Sequence, residues 1–356
     1  MKRLLRHLSQ LLPALLSLGL LAWVLRSADV GRALGLVQSL GFWLPFLLLP
    51  NLVAFLADTG GWWLSFARLG RRPRFRRLLA VRVMVDALML GLPSGSVVSE
   101  TVQPYLLKRR CGVPTESGIV ASVARKFFVV VSHGLFLGFS TLLAWPLLDQ
   151  DSTAAIGQRG LPWLLLATSG VLVGVALGGV LATAHGRVAD RVHRGLDRFG
   201  GRWLGSWLER NALRFQRTDE GLAAFFGQEP IALSPSVLLY VAGWSLRAVE
   251  TWLFLRLVGA DVPLSAAMVI ETALILVRAM AVPVPGGLGV QDAGYVLCLK
   301  ALGVPDATTV GAAFVLLKRG KDLFWILLGF LLLGVGRRPG EATLASRPGE
   351  GAGSVG

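Results

Sequence analysis

Two stretches of the chain place chemistry-bearing residues at matching intervals. PSGSVVSETVQPYLLKRRCGVP runs from Pro93 to Pro114, and PGGLGVQDAGYVLCLKALGVP from Pro285 to Pro305. A carboxylate stands seven residues after each leading proline (Glu100 and Asp292) and a lysine fifteen after it (Lys108 and Lys300). Gly112-Val113-Pro114 matches Gly303-Val304-Pro305 with one residue of slippage, and apolar segments carrying cations follow, with Arg125 and Lys126 in one and Lys318 and Arg319 in the other. Glycines gather at the turns: Gly95 in the first copy, and Gly286, Gly287 and Gly289 in the second. Helix N-termini opening after Pro93 and Pro285 would offer free backbone N–H groups, which suit an anion such as a phosphate. The cations would hold the same group, while the carboxylates would take an amine or close ion pairs. The glycines would equally serve plain close packing of helices. Recurrence of acid and lysine in phase favours a paired site.

Other ionisable residues stand in apolar stretches, where charge is costly and usually faces a partner or a cavity. Spacing along single helices pairs Arg247 with Glu250, Glu271 with Arg278, and Lys318 with Asp322. Arg82 and Asp86 are four apart and read as a structural pair at the interface. Lys318 and Arg319 fall ~18 Å along a helix that starts near Asp306. A phosphate-bearing substrate explains them there, and so does a break at Gly320 that leaves them interfacial. His133 reads as hydrogen-bonded to a carbonyl or as part of a proton relay, and Asp58 faces either the cavity or the inner interface. The candidate substrate-binding set is therefore Glu100, Asp292, Arg125, Arg247, Arg278, Lys318 and Arg319 with the four turn glycines. Glu250, Glu271 and Asp322 are structural partners. GxSxG, HExxH, Asp-rich and P-loop motifs are missing from the sequence, so neither enzyme chemistry nor a metal or cofactor is expected.

The elements that must position these residues follow from composition. The chain has 356 residues, 54% hydrophobic, with a mean hydropathy of +0.62. Apolar runs of ~20 residues recur, the length that crosses a bilayer as helix. The expected fold is all-α, a polytopic membrane helix bundle with roughly six full spans. These cover Leu8 to Arg26, Phe42 to Phe66, Phe127 to Leu148, Leu161 to Thr183, Ser236 to Val258, and a last segment ending near Arg337. The net charge of +15, in such a protein, points to basic cytoplasmic loops beside anionic headgroups rather than to nucleic acid. Cys111 and Cys298 are far apart in the sequence and carry no compartment signal.

The arginine-rich loop from Arg68 to Arg82 belongs inside with the basic N-terminus. The net acidic loop Asp149 to Arg159, flanked by Trp145 and Trp163, belongs outside. Residues 185–235 form a basic amphipathic segment, lying on the inner leaflet or packed on the bundle as a soluble hairpin. Parity then requires Arg82 to Arg110 to enter and leave from the inside, and the stretch around PVPGGLGVQD to do so from the outside. The result is two opposed re-entrant hairpins forming an inverted repeat, with motifs over 83–126 and 271–322 within one domain, 1–338. That plan is common in secondary transporters. The Gly/Ala-rich tail 339–356 is expected to be disordered.

These hairpin motifs resemble the transmembrane region of lysylphosphatidylglycerol synthases, which also occurs as stand-alone flippase-like membrane proteins. The resemblance covers about Leu8 to Gly336 and is most specific at PVPGGLGVQD. In the first copy the chain departs from the family. Members often show a Gly-Gly-Glu-type run followed by arginine, whereas this chain has Ser94-Gly95-Ser96 and a Glu100 followed by Thr101-Val102-Gln103. The resemblance implies movement of lipid between leaflets. Room for an aminoacyl-transferase domain is lacking, so lipid synthesis from aminoacyl-tRNA is not expected. The leading expectation is a translocase for anionic or phosphate-bearing membrane lipids, in a bacterial inner membrane with both termini cytoplasmic. The alternatives are a non-transporting scaffold for a lipid-modifying system and, more weakly supported, an embedded lipid transferase using His133 or the carboxylates. Candidate protein partners are a second copy of the chain or a lipid-synthesis enzyme.

Overall fold

The structure, a computed structural model, describes residues 28–149, 160–184, 217–227, 233–280 and 284–335, with a few single positions in 19–26. Most of the expected first span, most of the segment 185–235 and the tail 339–356 lie outside the described residues. The described residues form helices and turns without strands. A short helix α1 (Val30–Ser39) is followed by a 3-10 segment (Gly41–Leu48) that runs into α2 (Leu49–Arg68). Then come α3 (Phe75–Gly91), α4 (Gly95–Cys111), α5 (Thr115–Leu143) and α6 (Leu161–Ala184). After a short helical segment at 217–226, the chain continues as α7 (Ser234–Leu257), α8 (Leu264–Met280), α9 (Val290–Ala301) and α10 (Ala307–Val335).

Among the described residues, three helices are long and apolar enough to cross a membrane: Gly41–Arg68, Thr115–Leu143 and Leu161–Thr183. α7 and α10 have the length, but each carries several charges. Outward-facing side chains such as Trp163, Val175, Leu327 and Leu331 are apolar and exposed, as lipid contact requires.

Two runs of the chain match element by element. α2–α3–α4–α5 corresponds to α7–α8–α9–α10; α3 and α8 have 17 residues each, and α5 and α10 have 29 each. Packing crosses between the runs. α3 lies on α10 and α8 lies on α5, while α2 packs against α7. Lead-in helices follow the same rule. α1 sits against the start of α10, where the Asp29 amide donates to Thr309 Oγ1 at 3.4 Å and Arg32 pairs with Asp306 at 3.0 Å. Segment 217–226 places Leu222, Phe225 and Phe226 against Val120, Ala124 and Phe128 of α5.

The sense of the repeat follows from residue contacts. Gly61 lies against Ser236 and Tyr240, whereas Asp58 lies against Gly243, so α2 and α7 run antiparallel. Gly91 at the end of α3 meets Ile326 and Phe330, and Val83 and Ala87 earlier in it meet Gly329, so α3 opposes α10. A two-fold operation that exchanges antiparallel helices has its axis across them. The two halves are therefore inverted with respect to each other.

Local chemistry explains the turns. Each third helix ends at a glycine in the left-handed region, Gly112 at φ 69° and Gly303 at φ 67°. The next amide reaches back to a leucine carbonyl, Val113 to Leu107 at 3.4 Å and Val304 to Leu299 at 3.0 Å, and proline then opens or precedes the following helix. The hairpin turns differ. The first holds Ser94 at φ 52° and needs Gly95 for space, since a Cβ there would stand 2.4 Å from the Met89 carbonyl oxygen. The second turns through Gly286, Gly287 and Gly289, all at positive φ, which glycine adopts without strain. The two tips meet, with Gly286 facing the Leu90 carbonyl and 3.4 Å left for a Cβ.

Candidate functional site

Each half brings buried charge to the same places in its own frame. In the second half Lys318 donates to Glu250 at 3.1 Å and to Glu271 at 3.2 Å. Lys321 shares Glu250 at 2.8 Å. Glu271 Oε2 also accepts from Thr251 Oγ1 at 2.6 Å and from the Tyr295 hydroxyl at 3.0 Å, which in turn accepts from Gln291. Two carboxylates and two ammonium groups balance, and hydroxyls take up lone pairs. A buried ion pair needs such additional hydrogen bonds to offset desolvation.

One residue further along α10, Arg319 donates from Nε and NH2 to Asp292 Oδ1 at 3.0 and 2.7 Å. Its NH1 reaches the Gly286 carbonyl at 3.3 Å and Asp322 at 3.3 Å. Asp292 is 1% exposed, and its second oxygen accepts from the Gly289 amide at 2.9 Å. The N-terminus of α9, expected to be open to an anion, is thus capped by its own carboxylate. Gly286, Gly287 and Gly289 are buried here.

The first half repeats the register with different residues. Glu100 takes the place of Asp292 and pairs with Lys126 at 2.8 Å, as Asp292 does with Arg319. This pair is exposed, at 57% for Lys126 and 38% for Glu100. Three residues after each acid stands a polar residue of the deeper cluster, Gln103 beside Arg125 in one half and Tyr295, which donates to the Lys318 partner Glu271, in the other. Arg125 NH1 donates to Gln103 Oε1 at 3.2 Å, and its guanidinium lies 5.3 Å from the Trp62 ring centre. Arg82 occupies the position of Glu271, eighth in its helix, and donates to Asp86 at 3.0 Å and Asp58 at 3.4 Å. Arg247 also pairs with Asp58. Gly95 is buried at the tip.

This cluster does not balance. Arg82, Arg125 and Arg247 face Asp58 and Asp86, and among the described residues no carboxylate comes within ion-pair distance of Arg125. Among the described residues three nitrogen donors in it lack a hydrogen-bond partner, namely Arg82 Nε, Arg125 Nε and Gln103 Nε2, as does the Tyr240 hydroxyl. Arg82 is 5%, Arg125 8% and Gln103 0% exposed. Unpaired buried donors are rare because each loses its hydration without return.

Several expected pairings change partner. Arg247 pairs with Asp58 of α2 rather than with Glu250. Glu250 goes to the two lysines of α10. Asp322 takes Arg319 at 3.3 Å and Lys321 at 3.5 Å rather than Lys318. Glu271 takes Lys318; Arg278 lies in α8, and its side chain is outside the described residues. The physical reason is common to all: a buried charge needs partners from several directions, and a single helix face supplies one. Arg82 sits inside the bundle rather than in the basic loop, still paired with Asp86 as its spacing suggests. His133 Nε2 lies 3.2 Å from the Thr272 carbonyl and its ring stacks on Trp244 at 4.5 Å. Asp58 faces the bundle interior. Sequence reading missed Gln103, Tyr295, Thr251 and Lys321. The phase of the repeat held a signal for the first two, since both stand three residues after the matched acids.

The fold and its charge clusters define a polytopic helical membrane protein with an internal inverted repeat. Within that class the family model for the lysylphosphatidylglycerol synthase TM region matches residues 10–329, and the chain belongs to this family. No curated protein matches the chain. It is an integral membrane protein of a lipid-related family.

Proposed function

We propose that the protein is a lipid translocase that moves a phosphate-bearing lipid between leaflets without an energy source of its own and without altering it chemically. The carrying observation is the contact of the two opposed hairpin tips, Gly286 against Leu90, with a buried charge cluster on either side. In this reading each hairpin enters the bilayer from its own face and returns. α3 has 17 residues, ~25 Å of helix, short of the ~30 Å hydrocarbon core, and α9 has 12, ~18 Å. Irregular backbone at the tips is tolerable at that depth because protein surrounds it. Broken segments that meet near the midplane are where secondary transporters place substrate. The basic loop Arg68–Arg77 would face the cytoplasm of a bacterial cell, with both chain termini.

The test is transbilayer exchange. The purified full chain is reconstituted into vesicles carrying a trace of fluorescent phosphatidylglycerol in both leaflets, and the outer fluorophore is bleached chemically. A translocase exposes the inner half of the label at a rate proportional to protein. Loss confined to half of the signal, as in empty vesicles, would exclude transport and leave the scaffold reading.

A further inference from the structure

We infer that the site in the first half selects a headgroup bearing an anion and no amine, through the unfilled donors of Arg125, Gln103 and Arg82. This inference rests on the translocase reading and specifies its substrate. It comes from what is already paired and what is not.

An amine on the headgroup would need a carboxylate. Asp58 already holds Arg82 and Arg247, and Asp86 holds Arg82. Across the tips, Glu250 and Glu271 share Lys318, and Asp292 is bound by Arg319 and by its own helix cap. A spare acceptor does exist at Glu250 Oε2. It belongs to a carboxylate already shared by two lysines, so an added ammonium would meet Lys318 and Lys321 at once. The donors are in the opposite state. Gln103 accepts from Arg125 through its oxygen, which leaves its amide N–H groups beside the guanidinium with nothing to bond. Arg125 Nε and Arg82 Nε are likewise unmatched, on helices α5 and α3. An oxyanion would satisfy all three and supply the negative charge that Arg125 lacks. Guanidinium groups recognise phosphate in a fork geometry, and such charge-assisted bonds are stronger than neutral ones.

Lys126 follows Arg125 directly, and Glu100 precedes Gln103 by one helical turn, so an exposed ion pair stands at the surface next to the buried donors. A headgroup anion can displace Glu100 from Lys126 on entry, whereas an ammonium would be repelled by Lys126 and find only the acid it must strip away.

The experiment uses delipidated full chain in phosphatidylcholine nanodiscs and measures competition between phosphatidylglycerol and its lysyl ester by native mass spectrometry. One lost charge-assisted bond corresponds to about tenfold in affinity, so phosphatidylglycerol should bind about tenfold or more tightly than the ester. Arg125→Gln should abolish that preference; Gln103→Leu, which keeps every charge, should reduce it and guards against a folding defect. Equal binding of the two lipids, preference for the ester, or an unchanged preference in both variants would overturn the inference. Soluble glycerol phosphate at the same concentration should not displace the lipid. If it does, the anion is taken from water and the lipid assignment fails. Exchange in vesicles separates the two levels. Preferential binding without exchange sinks the translocase and keeps the site, whereas exchange without headgroup preference does the reverse.

Discussion

The two halves of this molecule share a backbone plan and differ in charge state. Around Lys318 the second half is closed: two carboxylates, two ammonium groups and a hydroxyl relay leave a single carboxylate oxygen over. Around Arg125 the first half is open, with three guanidinium groups against two carboxylates and three nitrogen donors unmatched among the described residues. The same contrast runs through the shallower pairs, since Arg319–Asp292 is buried and Lys126–Glu100 exposed. Duplicated geometry therefore does not imply duplicated chemistry. On the proposed reading one half would serve as a support and the other as a receptor.

The sharpest way to break this comparison is to remove the central cation from each half. Lys318→Met leaves Glu250 and Glu271 buried against Lys321 alone, and severing a buried pair costs about 3–5 kcal/mol. Thermal unfolding in detergent should fall steeply. Arg125→Gln removes a charge with no ion-pair partner among the described residues, so its stability should stay near that of the parent while anionic-lipid binding drops by about tenfold or more. Equal destabilisation by the two would erase the distinction between closed and open clusters.

Asp292→Asn comes next in size. It keeps an acceptor for the Gly289 amide but takes from Arg319 the nearer of its two carboxylates, leaving Asp322, and the loss of a charge-assisted bond suggests about 2 kcal/mol. Vesicle exchange should slow with it, since the tip is no longer fastened. Glu100→Ala is the smallest. Exposed pairs contribute about 0–1 kcal/mol, so folding should be unchanged and exchange reduced severalfold at most, read in the same vesicle assay. An Asp292→Asn variant as active as the parent would argue that the second tip has no part in transport.

How much of this was legible beforehand depends on whether the signal was local. The Gly-Val-Pro caps, the acid seven residues after proline and the chain turns after Pro93 and Pro285 could be read, because turn chemistry is a property of neighbouring residues. The inverted sense was also recoverable from loop charge, and packing of Gly61 on Tyr240 and of Gly91 on Phe330 gives it independently. Ion-pair partners were not legible. Spacing along one helix pointed Arg247 at Glu250, three residues away, but the low-polarity interior drew it to Asp58 from 189 positions earlier. Lys321 passed unnoticed because it sits among other charges with no periodic mark. Gln103 is neutral, and only its equivalence to Tyr295 across the repeat singles it out.

One contact has a mechanical meaning. Arg319 holds the Asp292 carboxylate and the Gly286 carbonyl while Asp322 of the same helix steadies its guanidinium, so the second hairpin's turn is fastened to α10 at two points. Lys126, its counterpart, grips Glu100 and leaves the turn at Ser94 without an equivalent tether to α5. Of two leaves in a hinge, one is thereby screwed to the jamb. On the translocase reading, displacement between the tips would fall to α3–α4, which carries Arg82 and Gln103. A stroke that opened a path between the leaflets would then pull two of the three anion donors away from Arg125, and release of the cargo would need no trigger beyond the movement itself.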